Sequence, residues 1–290
     1  MIDMISVLLL CASIFLSTGR NLLSKNISDE KFGTRRFFGL QTLIFFSGAL
    51  LLFCINIGSS LHASPLTVCF ALIYGGLLVA AQWNYTLALK NGKTGICSTV
   101  YSLGFILPTV FGSLAFKEPF SVWDGLGICA VIPAIILTGM KKGDDNKNGA
   151  SYFLPLVVAM LCSGGLGIMQ KVEQHSAYAD EKVCFMLLSF LVAAICSFVC
   201  FCFGKEKQGS VLDKKSFSCI GIGVTFACCN LLNTILAGRL SSAVFFPILN
   251  IGTILFSTIL GILFFKERPT KKDLLVFLLG IVSILLITLD

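Results

Sequence analysis

The sequence predicts an all-α integral membrane protein with ten transmembrane helices arranged as two inverted five-helix repeats. Three observations point there: the composition, the spacing of the apolar runs and an internal repeat. Of the 290 residues, 56% are hydrophobic and only 13% are charged, and the mean hydropathy is +0.90. A soluble domain of this size carries about 25% charged residues. Each Asp and Glu stands near the end of an apolar run, in a connection or at a terminus, which is the pattern expected when the bilayer is the solvent.

A helix needs about 20 apolar residues to cross the hydrocarbon. In chain order the runs are Met4–Leu22, Phe37–Ile57, Leu66–Leu89, Ile96–Phe116 and Phe120–Met140, then Tyr152–Met169, Val183–Phe203, Phe217–Ala237, Ala243–Phe265 and Leu274–Leu289. The first run has no basic segment before it and no small-residue cleavage site after it, so it reads as a helix, not a signal peptide. Lys141–Ala150 is the most polar stretch and falls at the midpoint, dividing a first repeat over 1–145 from a second over 146–290. With ten spans, 18 of the 22 basic residues fall in connections on one face. Only Lys117, Lys171, Lys182 and Arg239 fall on the other. The positive-inside rule then places the linker in the cytoplasm and both termini outside the plasma membrane.

The halves match without gaps. At an offset of 149, Asn84-Tyr-Thr-Leu-Ala-Leu-Lys lies over Asn233-Thr-Ile-Leu-Ala-Gly-Arg, Phe116-Lys117-Glu118 over Phe265-Lys266-Glu267, and Asp124 over Asp273. At an offset of 151, Cys11 meets Cys162, Arg20 meets Lys171, and Asp29-Glu30-Lys31 meets Asp180-Glu181-Lys182. Each half has five spans, so the second enters the membrane the opposite way. Inverted repeats of this kind put a substrate site near the midplane, between halves that rock to alternate access.

Several function classes are excluded. The net charge of +7 is scattered over short connections, with no basic helix or aromatic platform for nucleic acid. The 13 cysteines include no C-x-x-C pair and lie mostly inside apolar runs, where they act as small apolar side chains. The close pairs Cys200/Cys202 and Cys228/Cys229 have neither histidine, His62 or His175, nearby in sequence, so no metal and no cofactor is expected. A membrane enzyme would need clustered catalytic carboxylates or histidines, and none are evident.

What is polar inside the spans is neutral. The third span carries Gln82, Trp83, Asn84 and Tyr85; the eighth carries Asn230, Asn233 and Thr234. Asn230, Asn233 and Ala237 share a helix face by their spacing. An amide without a partner in hydrocarbon costs several kcal/mol, so each must face the interior, as helix-to-helix glue or as a ligand contact. The fourth span presents Ser98, Tyr101, Phe105 and Pro108 along one face, and the ninth presents Pro247, Asn250, Ile254 and Ser257. Proline frees the carbonyl four residues earlier, Gly104 for Pro108, giving either a ligand acceptor or a kink. Gly75-Gly76, Gly164, Gly165, Gly167, Gly221 and Gly223 allow close helix packing or a hinge. Asn84, Trp83, Tyr101, Ser98, Asn230, Asn233 and Asn250 are the candidate binding residues.

The charged positions read as helix ends. Glu118 and Glu267 follow a Lys near a Pro and complement the start of the next helix, as do Asp124 and Asp273. Arg20 and Lys171 end the first and sixth spans as snorkelling residues, or as guides for an anionic substrate.

The Ala88-Leu-Lys-Asn-Gly segment, its counterpart Ala237-Gly-Arg-Leu-Ser, and the Phe116-Lys-Glu-Pro and Phe265-Lys-Glu-Arg-Pro ends of spans four and nine carry a resemblance. Through them the whole chain resembles the drug/metabolite transporter superfamily, in its ten-helix EamA-type members. The resemblance implies a central cavity lined mainly by helices 1, 3, 4, 6, 8 and 9. It departs in one respect, since many members are drawn with cytoplasmic termini. The small four-helix relatives couple protons through a carboxylate in their first helix, and here no acidic residue lies between Asp3 and Asp29. The expectation is a transporter of a polar neutral or zwitterionic metabolite, such as an amino acid, nucleobase or sugar, working as a monomer or weak homodimer. The alternatives are a carrier or flippase for a phosphorylated or lipid-linked compound and a non-transporting membrane sensor.

Reporter fusions within 141–150 test the topology. They should report a cytoplasmic linker; an external one overturns the orientation read from the charge count.

Overall fold

In the computed structural model, residues 3–28, 33–57, 62–91, 100–139, 153–204, 214–265 and 271–287 are described. Within them the chain forms ten α-helices: α1 (Met4–Ser28), α2 (Thr34–Asn56), α3 (Pro65–Asn91), α4 (Ile106–Ala115), α5 (Val122–Gly139), α6 (Phe153–Gln174), α7 (Lys182–Phe203), α8 (Lys214–Arg239), α9 (Ser242–Phe265) and α10 (Lys271–Ile287). No strand occurs among the described residues. Five stretches are long and apolar enough to cross a membrane: Thr34–Asn56, Pro65–Ala88, Phe153–Gln174, Ala179–Phe203 and Phe217–Arg239. Met4–Arg20, Val100–Ala115 and Ser242–Phe256 are shorter apolar helices.

Helix starts are set by local chemistry. At α3, Pro65 takes the first helical position, where a missing N–H costs nothing. Ser64 Oγ accepts the Thr67 N–H, and Ser64's own N–H donates to Glu181 Oε2 at 2.9 Å. At α5, Ser121 and Asp124 cap each other: the Ser121 N–H donates to Asp124 Oδ2 at 3.0 Å, and Ser121 Oγ accepts the Asp124 N–H. Asp124 thus occupies the helix-start role expected of it. A 3₁₀ turn over Leu103–Phe105 precedes α4. This is where Pro108 removes the partner of the Gly104 carbonyl, so the tightened turn is the local adjustment to that loss.

The outside of the bundle is apolar. Phe203, Leu114, Ile195 and Phe15 all expose more than half of their surface, as a lipid-facing wall requires. The largest core joins α2, α3, α7 and α8, where Phe45, Phe190 and Phe226 meet edge to face or tilted, 5.5–6.1 Å apart. A second core joins Leu10, Phe105, Leu236, Phe245 and Ile248 from α1, the 3₁₀ turn before α4, α8 and α9.

The helix contacts run between the halves. α1 packs on α8 and α9, α3 on α6 and α7, α4 on α6 and α9, α2 on α7 and α8, and α5 on α10. α1, α9, α4, α6 and α8 close a ring through successive contacts, with α3 set against α6. The six helices that the resemblance assigned to a cavity are therefore linked by successive contacts, while the pair α2–α7 packs on the ring through α3 and α8 and the pair α5–α10 through α9.

Gly75 lets α3 approach α7. A Cβ there would stand 2.7 Å from the Ser189 carbonyl oxygen and 2.8 Å from Val192 Cβ, whereas one at Gly76 meets nothing within 4 Å. Gly75→Ala should therefore cost about 1–3 kcal/mol through forced separation of the two helices. Gly76→Ala should stay within about 1 kcal/mol of the parent, on the stabilising side. Thermal unfolding in detergent measures both, and equal effects at the two positions would contradict the packing.

Candidate functional site

Inside the ring, the polar side chains are held by a recurring local device. Asn84, Asn230 and Asn250 each donate Nδ2 to the carbonyl four residues back, at 2.9, 2.8 and 2.9 Å to Ala80, Phe226 and Phe246. Thr86, Thr109, Thr234 and Thr253 bond back in the same way. Each asparagine so held keeps its amide oxygen, and the second N–H of its NH2 group, for a further partner.

For Asn230 that partner is protein. Tyr74 Oη donates to Asn230 Oδ1 at 2.8 Å, and Gln170 Nε2 donates to Tyr74 Oη at 3.0 Å. The three residues come from α3, α6 and α8, and all are buried. Asn233 lies one turn further along α8. Ser13 Oγ of α1 donates to its Oδ1 at 2.5 Å, and Ser17 Oγ lies 2.9 Å from Cys229 Sγ. Beside them the Arg20 guanidinium sits 4.6 Å over the Phe226 ring, a cation–π contact.

The sequence-predicted residues fall in three settings. Asn230 and Asn233 join helices through their side chains. Trp83 is half-buried, stacked on Phe38 at 4.8 Å and tilted on Phe37 at 5.3 Å, which binds the end of α3 to the start of α2. Asn84 and Asn250 are half-buried, each bonded back to its own helix, while Tyr101 is half-buried, rests on Tyr85 at 4.7 Å and hydrogen-bonds Ser163 of α6. Ser98 lies outside the described residues.

Tyr74 and Gln170 were not foreseen. Gln170 fell just beyond a span drawn to end at Met169, whereas α6 continues to Gln174. Tyr74 sits next to the Gly75-Gly76 pair, in a run whose polar content drew notice only at Gln82 and beyond. The signal for both was a polar side chain inside an apolar helix, the same signal that marked Asn230.

Two readings of charge are corrected. Lys171 does not snorkel: its side chain is 1% exposed, and its Nζ donates to Glu118 Oε1 at 2.5 Å and to the Leu240 carbonyl at 2.7 Å. Glu118 does not serve the next helix; its Oε2 accepts the Ser242 N–H, at the start of α9, at 2.6 Å. Burial pushes the Glu118 carboxyl up, but the hydrogen bonds from Lys171 and Ser242 outweigh it and hold the group below its ordinary value. Glu173, two residues after Lys171, is also fully buried; its Oε2 accepts from Gln174 Nε2 at 2.7 Å, and its Oε1 has no hydrogen-bond partner among the described residues. Glu267 lies outside the described residues.

A hollow of about 390 Å³ at the start of α5 is lined by Phe120, Val122, Leu126 and Cys129. Its wall is apolar and includes none of the sequence-predicted residues. It does not fit a polar ligand.

A family model described as sugar transport protein matches residues 27–289. No curated protein matches the chain. The chain is similar to a protein of known crystal structure at 16% identity, over 98% of this chain and 96% of that one, with a TM-score of 0.81. At that identity the likeness shows a shared fold.

Tyr74→Phe removes the hydroxyl that both Asn230 and Gln170 use. Leaving two buried amides short of a partner should cost about 1–3 kcal/mol of stability. Thermal unfolding checks it, and an unchanged melting temperature would mean that the triad contributes nothing.

Proposed function

The chain belongs to the sugar transport protein family, and we propose that it moves a neutral sugar or sugar-like polyol across the membrane by alternating access between two inverted halves. The family match over nearly the whole chain carries this reading; the chemistry of the interior supports it. Asn84 and Asn250 present amide oxygens, which accept from the hydroxyl groups that cover a sugar. Tyr85 and Tyr101 present ring faces, whose negative quadrupole attracts the electropositive C–H face of a pyranose. Asn233, Asn230 and Trp83 complete the proposed site, and Ser98 belongs to it by sequence.

The ten-span, two-repeat reading rests on the matched offsets, and the helix contacts support it. Exchanging each helix with the one five places on maps α1–α8 onto α6–α3, α2–α8 onto α7–α3 and α1–α9 onto α6–α4. The pairs α2–α7, α4–α9 and α5–α10 map onto themselves. This pattern supports the inverted-repeat reading that the resemblance to the EamA-type transporters implies.

The two equivalent asparagines should separate by role. Asn233→Ala breaks the bond to Ser13 and should lower stability by about 0.6 kcal/mol, the usual size of an intramembrane hydrogen bond. Asn84→Ala removes only a bond to its own turn. It should leave the melting temperature in place and weaken sugar binding by about 0.5–1.5 kcal/mol, roughly twofold to twelvefold in affinity. A thermal-shift panel of neutral hexoses, pentoses and polyols, followed by uptake into proteoliposomes, identifies the ligand first. If no neutral sugar stabilises the wild-type chain or enters the vesicles, the sugar reading fails. If one does and Asn84→Ala binds it as tightly as wild type, the site fails.

A further inference from the structure

Both oxygens of the Glu118 carboxylate are taken by the opposite half. It stands in the α4–α5 connection, while Lys171, Leu240 and Ser242 come from α6, the end of α8 and the start of α9. Lys117 has a left-handed backbone, φ 52°. That turn reverses the chain after α4 and brings Glu118 back over the bundle. Gly112 makes the space: a Cβ there would run into Ser242 Oγ and stand 2.7 Å from Glu118 Oε2. Next to the pair, the Phe116 and His175 rings stack at 4.0 Å, again across the halves.

We propose that the Lys171–Glu118 ion pair, with Glu118 on the Ser242 N–H, is a latch that holds one end of the interhelical path shut and releases when that end opens. The inference rests on the transport reading. A buried ion pair is a poor source of net stability, because desolvating two charges consumes most of the attraction between them. In a latch that balance is useful. When the end opens, both charges regain water, so open and closed states lie close in energy; an apolar seal of the same area would favour closure heavily. The helix contacts agree with an end that is shut on one side only. α6 packs on α8 here, whereas the pair that the repeat exchanges with it, α1 and α3, makes no comparable contact among the described residues. In sequence the repeat supplies the same charge types in the opposite halves, Arg20 for Lys171 and Glu267 for Glu118.

Amine acetylation of the full chain in nanodiscs, read peptide by peptide by mass spectrometry, tests the latch. Lys117 is exposed and serves as the internal reference for Lys171. In wild type, Lys171 should react at least about tenfold more slowly than Lys117. In Glu118→Gln the difference should shrink to about threefold or less, as the closed population falls. Amide exchange over 185–190, in the α7 core, should stay at the wild-type rate. Glu118→Asp keeps the charge with a shorter reach and should fall between the two; it carries the test if Glu118→Gln does not fold. Equal reactivity of the two lysines in wild type overturns the proposal, as does a folded variant in which Lys171 stays as protected as in wild type. So does a matching loss of protection over 185–190, which would make the pair a general structural bond. A wild-type chain that carries no sugar would remove the transport reading, while the labelling ratio still decides whether this contact opens.

Discussion

A polar group inside a helical bundle in lipid has no water to turn to, and where it finds a partner decides what it does. In this chain the partners come in two kinds. Most hydroxyls and amides bond the carbonyl one turn back on their own helix, a local solution that any neighbour leaves undisturbed. A smaller set reaches across: Tyr74 to Asn230, Gln170 to Tyr74, Ser13 to Asn233, Lys171 to Glu118. The first kind keeps a side chain available to a ligand, and the second fixes one helix against another. Asn84 and Asn233 occupy equivalent sequence positions and fall on opposite sides of this division, so the pseudosymmetry of the sequence does not extend to hydrogen bonding.

Much of the architecture was legible because hydropathy reports length directly. Each apolar run overlaps one of the ten described helices, most ends shifting by a few residues and the fourth beginning at Ile106 after a 3₁₀ turn instead of at Ile96, and the helices assigned to a cavity by resemblance are linked by successive contacts. The ends are where the reading went astray, for one reason. Hydropathy falls at the first polar residue, whereas a helix stops only when its backbone runs out of partners. α6 passes Gln170, Lys171 and Glu173 to reach Gln174, so three interior groups were counted as belonging to a connection. The same error made Lys171 a headgroup residue when it is one of the most deeply buried side chains in the protein.

The contact between Glu118 and Lys171 was invisible for a different reason. Each had been marked by the repeat, one at the offset of 149 and the other at 151, but 53 residues separate them and no local pattern joins them. Pairing needs the third dimension: the left-handed turn at Lys117, the absent side chain at Gly112 and the meeting of α4, α6 and α9. What the sequence did carry is that both positions recur with the same charge sign in the other half. In a chain with few charges to place, that recurrence in the sequence is what singled out these two positions.

The energetics of the two polar sets then bear on how such a bundle could move. Bonds made within a helix survive any rigid-body rotation of that helix. Bonds made between helices are the ones that must break, and their distribution is uneven. The Tyr74–Asn230–Gln170 triad lies amid the large aromatic core of α2, α3, α7 and α8, where breaking it would also strip Phe45, Phe190 and Phe226 of their packing; those helices therefore act as one body. The Lys171–Glu118 contact lies at the junction of α4, α6 and α9, outside that aromatic core, with the Phe116–His175 stack beside it. Among the described interhelical polar contacts it joins two full charges, whose loss water would compensate on both sides, so in the proposed latch it is α4, α6 and α9 that part at this end while the aromatic core stays whole.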